Sequence, residues 1–395
     1  MHSEHLDTDF AIVGAGIAGA SLAWRLAHHP ARPRVLLLER EAHPGYHSTG
    51  RSAAMFMASY GPPLARALTR ASRAFYQRPP AELGCSTVLS PRGVIYLAAA
   101  DQLAALGTLQ AELAPACPGL RRIDATEVLA RVPCLRPDRV AAGLLDEDSQ
   151  DIDVHSLHQG FLRGLRAAGG QLRCLSKVVG AQGRLDGRWH LQLGDGCVVR
   201  ATTLVNAAGA WADELARIAG AAPVALQPRR RSAFTFDAPP GMDVRHWPLV
   251  ADVDERWYLK PDAGRLLGSP ANADDCPAHD VRPEELDIAL GLHHIVEATG
   301  FDIRRPASTW AGLRSFVADG ELVIGWDSDR PGGLPGLFWC AGQGGYGIQS
   351  AAGASLAGAA LLMGDAWPAP LQAEGLGPQD LSPARDSLNT ADPAL

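Results

Sequence analysis

The chain lacks a long basic tract. Its 36 basic residues are set against 43 acidic ones for a net charge of −7, which gives nucleic acid no electrostatic footing. It also lacks a C-x-x-C pair: Cys85, Cys117, Cys134, Cys174, Cys197, Cys276 and Cys340 are scattered. No basic-then-apolar segment precedes Phe10, so free thiols in a reducing cytoplasm are expected. No charge falls between Tyr346 and Met363 either. Ala, Gly and Ser dominate that stretch, however, and a tightly packed internal helix is expected there rather than a membrane span. What the chain does have is 47% apolar residues, 42 glycines and 29 prolines in 395 positions, enough for two domains of a loop-rich α/β enzyme.

The rest is organised around Phe10 to Glu39. Phe10 to Val13 is an apolar run that follows the polar Asp9 and stops at a glycine, the pattern of a buried strand. Gly14, Ala15, Gly16, Ile17, Ala18 and Gly19 supply the G-x-G-x-x-G spacing. Ala20 to Ala27 reads as a helix, and Arg34 to Glu39 as a second buried strand ending in an acid. Gly14 permits a tight turn, Gly16 a close approach of backbone to pyrophosphate, and Gly19 close packing of helix on strand. The helix N-terminus adds bare N–H groups and partial positive charge, which suit a diphosphate. Glu39 follows at the distance where ribose hydroxyls need an acceptor. A lone G-x-G-x-x-G recurs by chance; with strand, helix, strand and acid in order it points to a bound dinucleotide.

The segment Gly45 to Ala54 bears on which dinucleotide. An NAD site would usually return here to another βα unit. A segment rich in glycine and hydroxyls, with one arginine, can instead follow an extended cofactor towards a flavin. An exposed loop is the plainer reading, and the apolar run Ala53 to Met57 stands against it. Pro62 and Pro63 then open a helix to Gln77, where their missing N–H groups cost nothing.

Further on, Ser90 to Leu97 and Val140 to Leu145 read as short strands. Asp153 is placed to N-cap a helix from Val154 to Ala167, closed by Gly169 and Gly170, with a strand over Gln171 to Val179 beyond it. Thr203 to Asn206 is another strand, with a tight exit through Gly209. From Leu226 to Ser269 consecutive strands replace the βα alternation, marking a second, antiparallel domain. Period two puts Arg229 and Arg231 on one face and Arg230 on the other, and a solvated basic edge is the usual meaning of such a run. Trp257 to Lys260 and Arg265 to Leu267 form a hairpin with Tyr258 and Lys260 on one face. Pro283 to Thr299 reads as a helix, Trp310 to Arg314 as a glycine-softened bend, and Leu337 to Ala341 as a last buried strand. Gly342 to Gly347 passes into the uncharged helix, and the end after Ser382 is expected to be disordered.

The stretch Glu39 to Ala54 resembles the flavin-binding segment of the D-amino-acid oxidase superfamily, and within it the chain is most similar to bacterial D-arginine dehydrogenases. The likeness runs from Asp9 to about Arg385 and is weakest between Cys85 and Val140. It is sharpest at Asn206–Trp211, Arg230–Phe234, Tyr258–Asp262, Trp310–Asp319 and Gln343–Gln349. The resemblance implies an α/β fold with a Rossmann-like FAD-binding domain (1–85, 146–222 and 307–395) and an antiparallel α+β substrate domain (86–145 and 223–306).

With no Cys or His marked as an attachment site, non-covalent FAD is implied. Its contacts would be the fingerprint residues, Glu39, Arg40, His47, Ser48, Thr49, Gly50, Arg51, Ser52, Val178 and Gly209, then Gly344, Gly345, Tyr346, Gly347, Ile348 and Gln349. A helix start at this second approach would steady negative charge left near N1 and the C2 carbonyl of a reduced flavin.

The implied reaction is oxidation of an amino acid, of D configuration, at its Cα–N bond. The imino acid then hydrolyses to a 2-oxo acid and ammonia. Arg231 and Arg314 would hold the carboxylate, Arg314 more strongly, through paired charge-assisted bonds. Tyr258 and the carbonyl of Gly345 would place the amine, and Tyr60 would close over the substrate. An amine that binds neutral needs no proton acceptor, so the lack of an obvious catalytic His or Glu is no objection. No metal is implied, and a quinone, another carrier or O2 would reoxidise the flavin. Oxidation of a secondary amine such as sarcosine or a proline derivative stays open, as does a flavin monooxygenase with the same fingerprint.

The side-chain pocket departs from the D-arginine dehydrogenases, which pair the substrate's distal cation with a glutamate just after their Ser-Pro-Arg segment. Here Ser90-Pro-Arg92 runs into Gly93 with no acid following, and Met55 and Met57 stand where the family has histidine and threonine. Methionine suits an aliphatic or aromatic group, so an uncharged substrate side chain is expected unless Glu82 takes the missing role from another position.

Overall fold

The computed structural model describes residues 5–183 and 186–388. Its apolar runs settle into two large sheets of different character. In the first, of eight strands, β1 (His5–Val13) lies parallel to and between β2 (Val35–Leu38) and β3 (Val198–Asn206). Every residue of β2 is buried, as a strand covered on both faces requires. The far flank of β3 is used twice. Its first half pairs antiparallel with Trp189–Leu193 and its second half parallel with Leu337–Ala341.

Helix α1 (Ile17–Ala27) starts at the glycine turn, and α2 (Pro63–Gln77) begins on a proline as expected. α3 (Val154–Ala167) is capped by Asp153, whose carboxylate accepts from Ser156 N at 2.8 Å.

The strand expected over Gln171 to Val179 is two strands at opposite ends of this sheet. Gln171–Arg173 pairs with β2, and Val178–Gln182 pairs with Trp189–Leu193. Between them Leu175 takes a left-handed conformation (φ 54°), and the amides of Leu175 and Ser176 bond to the carbonyls of Glu41 and Glu39. The chain therefore crosses above Glu39 and delivers Val178 to the far side.

The second sheet has nine strands, antiparallel except where Leu249–Asp252 runs parallel to Val94–Ala98. It contains β4 (Gln227–Phe236), reached from the hairpin strand β5 (Tyr258–Asp262) through Arg265–Ser269. Helix α4 (Glu285–Thr299), with Glu285 and Asp287 in its first turn, covers this sheet near β4.

Trp310 to Arg314, read as a bend, belongs to a full strand, β6 (Ser308–Phe316), antiparallel to β4 from Gln227 to Thr235. Gly312 gives no bend because its Cα faces Arg51, where a Cβ would sit 3.4 Å from the Arg51 Cβ. β6, assigned from sequence to the cofactor unit, is thus part of the nine-stranded sheet.

Met55–Phe56, Gln150–Ile152 and Leu89–Pro91 form a small third sheet. Beside it Lys260 of β5, with its side chain 3% exposed, meets Asp151 at 2.6 Å and the carbonyl of Ala53 at 3.0 Å. Removing one member of such a buried pair costs about 3–5 kcal/mol, because the other charge is left uncompensated.

Helix α5 (Gly347–Met363) is the uncharged stretch, and it packs on α1 and α2. A Cβ at Gly353 would lie 2.6 Å from the backbone oxygen of Leu68, and one at Gly358 would lie 3.2 Å from Leu22 Cδ1. Its missing charges reflect burial between helices. Among the described residues no helix is long and apolar enough to cross a membrane.

The end after Ser382 is not disordered up to Leu388. Arg385 is buried against Asp319 at 2.7 Å, and Asp386–Leu388 forms a 3-10 turn. Residues 389–395 lie outside the described residues.

Candidate functional site

Two adjoining cavities, of ≈170 and ≈560 Å³, meet at Ile17, Thr49, Leu313 and Gly344. The smaller runs past the ends of β1, β2 and β3. At its head Gly14 has φ 106°, and a Cβ there would lie 2.3 Å from the carbonyl oxygen of Ala207. A Cβ at Gly19 would lie 1.9 Å from the Gly14 oxygen. No larger residue fits either position. Gly16 is different: its Cβ would meet only Thr49 Oγ1, at 3.2 Å, so this side of the turn faces open space.

Thr49 also accepts from Ile17 N at 3.0 Å, at the first residue of α1. Glu39 is fixed at the cavity wall by bonds from Ala15 N (3.0 Å) and Glu41 N (2.9 Å), one to each carboxylate oxygen. Arg40 lies 4.7 Å over the Trp211 ring, and the His47 ring is 4.6 Å from the same indole. Ala18, Ser48, Val178 and Gly209 complete the expected lining here.

Sequence reasoning missed His158. From α3 its Nε2 reaches the Ala15 carbonyl at 2.9 Å, beneath the glycine turn, and its ring fills the space beside Gly45. Burial pushes the imidazole below its ordinary pKa, so the neutral ring donates from Nε2 to that carbonyl. Only the capping pattern of α3 was legible; nothing in the spacing links position 158 to position 15.

The larger cavity contains Arg231, Tyr258, Arg314, Tyr60, Met55 and Met57. Period two and the β4–β6 register explain the arginines. Arg229 sits opposite Arg314 and Arg231 opposite Gly312, so all three guanidiniums share one face. Arg230 points the other way, to Asp287 at 2.9 Å and to Glu284. Arg229 meets Asp275 at 2.9 Å.

Arg231 and Arg314 make no ion pair among the described residues. Arg314 donates to the Tyr60 hydroxyl and to the Asn272 carbonyl, both at 3.2 Å, while its buried Nε has no partner. Burial, then the charge of Arg231, lowers the Arg314 pKa. The Arg231 guanidinium lies 5.9 Å from the Tyr258 ring centre.

Gly344, Gly345, Tyr346, Gly347, Ile348 and Gln349 line the same cavity as α5 begins. Two of them also make bonds within the protein. The Gln349 side-chain amide accepts from Met57 N (3.2 Å) and donates to the carbonyls of Met57 and Tyr60 (both 3.1 Å), tying the Tyr60 loop to α5. The buried Tyr346 ring packs against Gly61, and its hydroxyl donates to the Gly320 carbonyl.

The guanidinium of Arg51 is likewise engaged away from the glycine turn, by Asp280 (2.5 Å) and the carbonyls of Val281 and Ala311 (3.0 and 3.1 Å). Ser52 lies in the larger cavity, whereas Ala15, Gly19 and Gly50 support the turn from outside both.

Gly93 does not reach the cavity. It has φ 74° and donates to Ser149 O at 2.8 Å, starting a strand whose Tyr96 is the residue that lines the wall. Glu82 is exposed and outside the cavity. The acids of the far wall are Glu112, paired with Arg66 at 2.8 Å, Glu255 and Asp252, the last held by Arg256 at 2.9 Å. These lie on elements whose packing the sequence did not fix. Among the described residues no cluster is suited to a metal ion.

Mitochondrial dimethylglycine dehydrogenase of Rattus norvegicus is 28% identical over 261 residues, 66% of this chain and 30% of that protein. The chain thus spans less than a third of the length of the curated relatives it first matches. Glycine oxidase from Geobacillus kaustophilus has the same fold, with a TM-score of 0.81 at 23% identity, covering 96% of this chain and 99% of that one. L-proline dehydrogenase from P. horikoshii follows at 0.80 and 20%, covering 98% and 100%. The family described as FAD dependent oxidoreductase matches residues 9–361, from the strand that opens the glycine turn into the last turns of α5. This chain belongs to that family, on the D-amino-acid oxidase type of fold, and its cofactor is FAD.

Proposed function

We propose that the enzyme oxidises a D-amino acid with an uncharged side chain at its Cα–N bond, giving an imino acid that hydrolyses to the 2-oxo acid and ammonia. The observation that carries this reading is Arg314, a buried guanidinium on a cavity wall with an orphaned Nε and no carboxylate among its partners. A buried cation left so is stabilised by an anion that arrives with the substrate. Arg231 beside it makes the site a fork for one planar carboxylate.

The open face of Gly16 and the first turn of α1 would hold the FAD diphosphate, Glu39 the ribose, and the Gly344–Gln349 passage the ring end. Bound FAD supplies a two-electron acceptor for the hydrogen leaving Cα. The two guanidiniums orient the carboxylate and disfavour a second cation beside them, which favours a neutral amine. Tyr258 and the Gly345 carbonyl place that amine, and Tyr60 fixes Arg314. Met55 and Met57 form an adaptable apolar wall for the side chain. In this reading the eight-stranded sheet is the cofactor unit and the nine-stranded sheet the substrate unit.

A secondary amine is the second reading, favoured by the names of the relatives, dimethylglycine dehydrogenase and L-proline dehydrogenase. Mixing the holoenzyme anaerobically with D-, L- and N-methyl amino acids separates the two. Fast bleaching of the flavin by D-amino acids supports the first, and bleaching confined to N-alkyl or cyclic amino acids replaces it with the second.

A further inference from the structure

Arg231 and Arg314 share one acceptor. Arg231 Nε donates to the backbone oxygen of Asn272 at 2.7 Å, and Arg314 Nη2 donates to the same oxygen at 3.2 Å. Two like charges are thereby held side by side, and the direction of that carbonyl decides where their remaining donors point.

The carbonyl is not aimed by a regular strand. Ala271, just before it, takes a left-handed conformation (φ 51°), which a residue with a Cβ adopts only when its surroundings impose it. The surroundings here are side chains. Asn272 Oδ1 accepts from Ser232 N of β4 at 2.8 Å, and Nδ2 donates to Asp274 (2.6 Å) and Asp287 (3.1 Å). The same Asp287 oxygen accepts from Ser232 Oγ (2.7 Å) and Arg230 Nε (2.9 Å). Ser269 Oγ takes the Ala271 N–H at 3.1 Å and donates to Ser232 O at 2.6 Å. Arg230, on the face turned away from Arg231, thus helps to hold the platform under it.

We propose that Asn272, backed by Asp287, is a positioning residue of the substrate site. Its side chain locks the carbonyl that sets the spacing and direction of the Arg231 and Arg314 guanidiniums. It thereby makes the pair selective for a single planar carboxylate over an uncharged group of the same shape. The proposal rests on reading the two arginines as the carboxylate fork.

The test is binding of butyrate and of butyramide to the holoenzyme, read from the shift of the flavin spectrum. Asn272→Ala keeps the carbonyl and removes its ties, and butyrate should weaken about ten-fold while butyramide changes less than about two-fold. Asp287→Asn, which keeps the shape and one acceptor, should give a smaller loss of the same selectivity. Equal weakening of both ligands in both variants means the cavity has merely collapsed, and overturns the proposal. Unchanged butyrate binding in both overturns it as well. If Asn272→Ala does not fold, Asp287→Asn decides alone. Arg314→Ala is measured alongside. If it leaves butyrate binding intact, the carboxylate fork itself is wrong. If it abolishes binding while Asn272 and Asp287 variants behave like the parent, only the positioning role falls.

Discussion

Arg314 Nη1 donates to the Tyr60 hydroxyl at 3.2 Å, and the absence of a side chain at Gly345 is what leaves room for the pair. A Cβ at Gly345 would lie 2.8 Å from the Tyr60 oxygen and 3.1 Å from Arg314 Cδ. Gly345→Ala should therefore push the pair apart. The expected outcome is a fall in kcat/KM of about ten-fold or more that persists when rates are expressed per bound FAD, since a small misplacement of orienting groups is costly. Normal kinetics in this variant would show that the Tyr60–Arg314 contact has no part in turnover.

Arg314→Ala should mainly weaken substrate binding. A lost charge-assisted pair is worth ~1.5–3 kcal/mol, or about ten- to a hundred-fold in affinity. Arg231→Ala should do the same less severely, because it is Arg314 whose buried Nε has no partner. Kd values from anaerobic titration check this, and parent-like binding in both variants would remove the carboxylate from this end of the cavity.

FAD should be released by acid precipitation, leaving a colourless pellet. Cys340, the thiol nearest the Gly342–Gly347 passage, is buried, lines neither cavity and has its pKa pushed up to about 12 by that burial. A thiol so held stays protonated and does not attack a flavin. Yellow colour in the pellet would point instead to His47, which lines the smaller cavity.

His158 gives a pH dependence with a definite sign. Its pKa is lowered in the fold, so the folded state resists a proton that the unfolded chain accepts near the ordinary value of ~6.5. Its contribution is complete above that pH and is lost as pH falls below it, by up to about 1.4 kcal/mol per pH unit until the folded pKa is reached. Since the ring supports Ala15, FAD should also be lost more readily in the same window. His158→Gln, which keeps a donor and cannot titrate, should flatten the melting-temperature profile below pH ~6.5. An unchanged slope would mean that other groups set it.

D-methionine, D-leucine and D-phenylalanine should exceed D-arginine and D-lysine in kcat/KM. Filling the Met55–Met57 wall with an apolar group gains ~1.5–3 kcal/mol, while an unpaired buried cation costs several. The acid able to reverse this order is Glu255, because Glu112 and Asp252 are already paired with arginines. If D-arginine proves the better substrate and Glu255→Gln abolishes the advantage, the far wall sets specificity and the methionines do not.

What was legible in the sequence was local. The glycine turn, Glu39, the capping of α3 by Asp153 and the face shared by Arg229 and Arg231 depend on spacing along one or two elements, which period and capping rules express. Leu175 broke the expected Gln171–Val179 strand because a left-handed leucine carries no signal that distinguishes it from a strand residue. The backbone ties of Gln349 and the acids of the far wall depend on which distant elements touch. The Asn272 carbonyl escapes for a different reason: its function lies in a backbone atom, and any residue type has one.

The Gln349 amide has a mechanical meaning as well. By gripping Met57 and Tyr60 at once, it joins their loop and the start of α5 into one part, so neither swings like a hinged flap without carrying the other. Ligand traffic is then expected along the part of the wall those ties do not reach, at Leu109, Glu112 and the Asp252–Trp257 turn. There the Arg66–Glu112 pair has its carboxylate 57% exposed and its guanidinium only 8% exposed, so Glu112 is the partner that faces solvent. On the proposed reading, substrate and product would pass there while the spacing between reacting carbon and flavin, set from the other side, is left undisturbed.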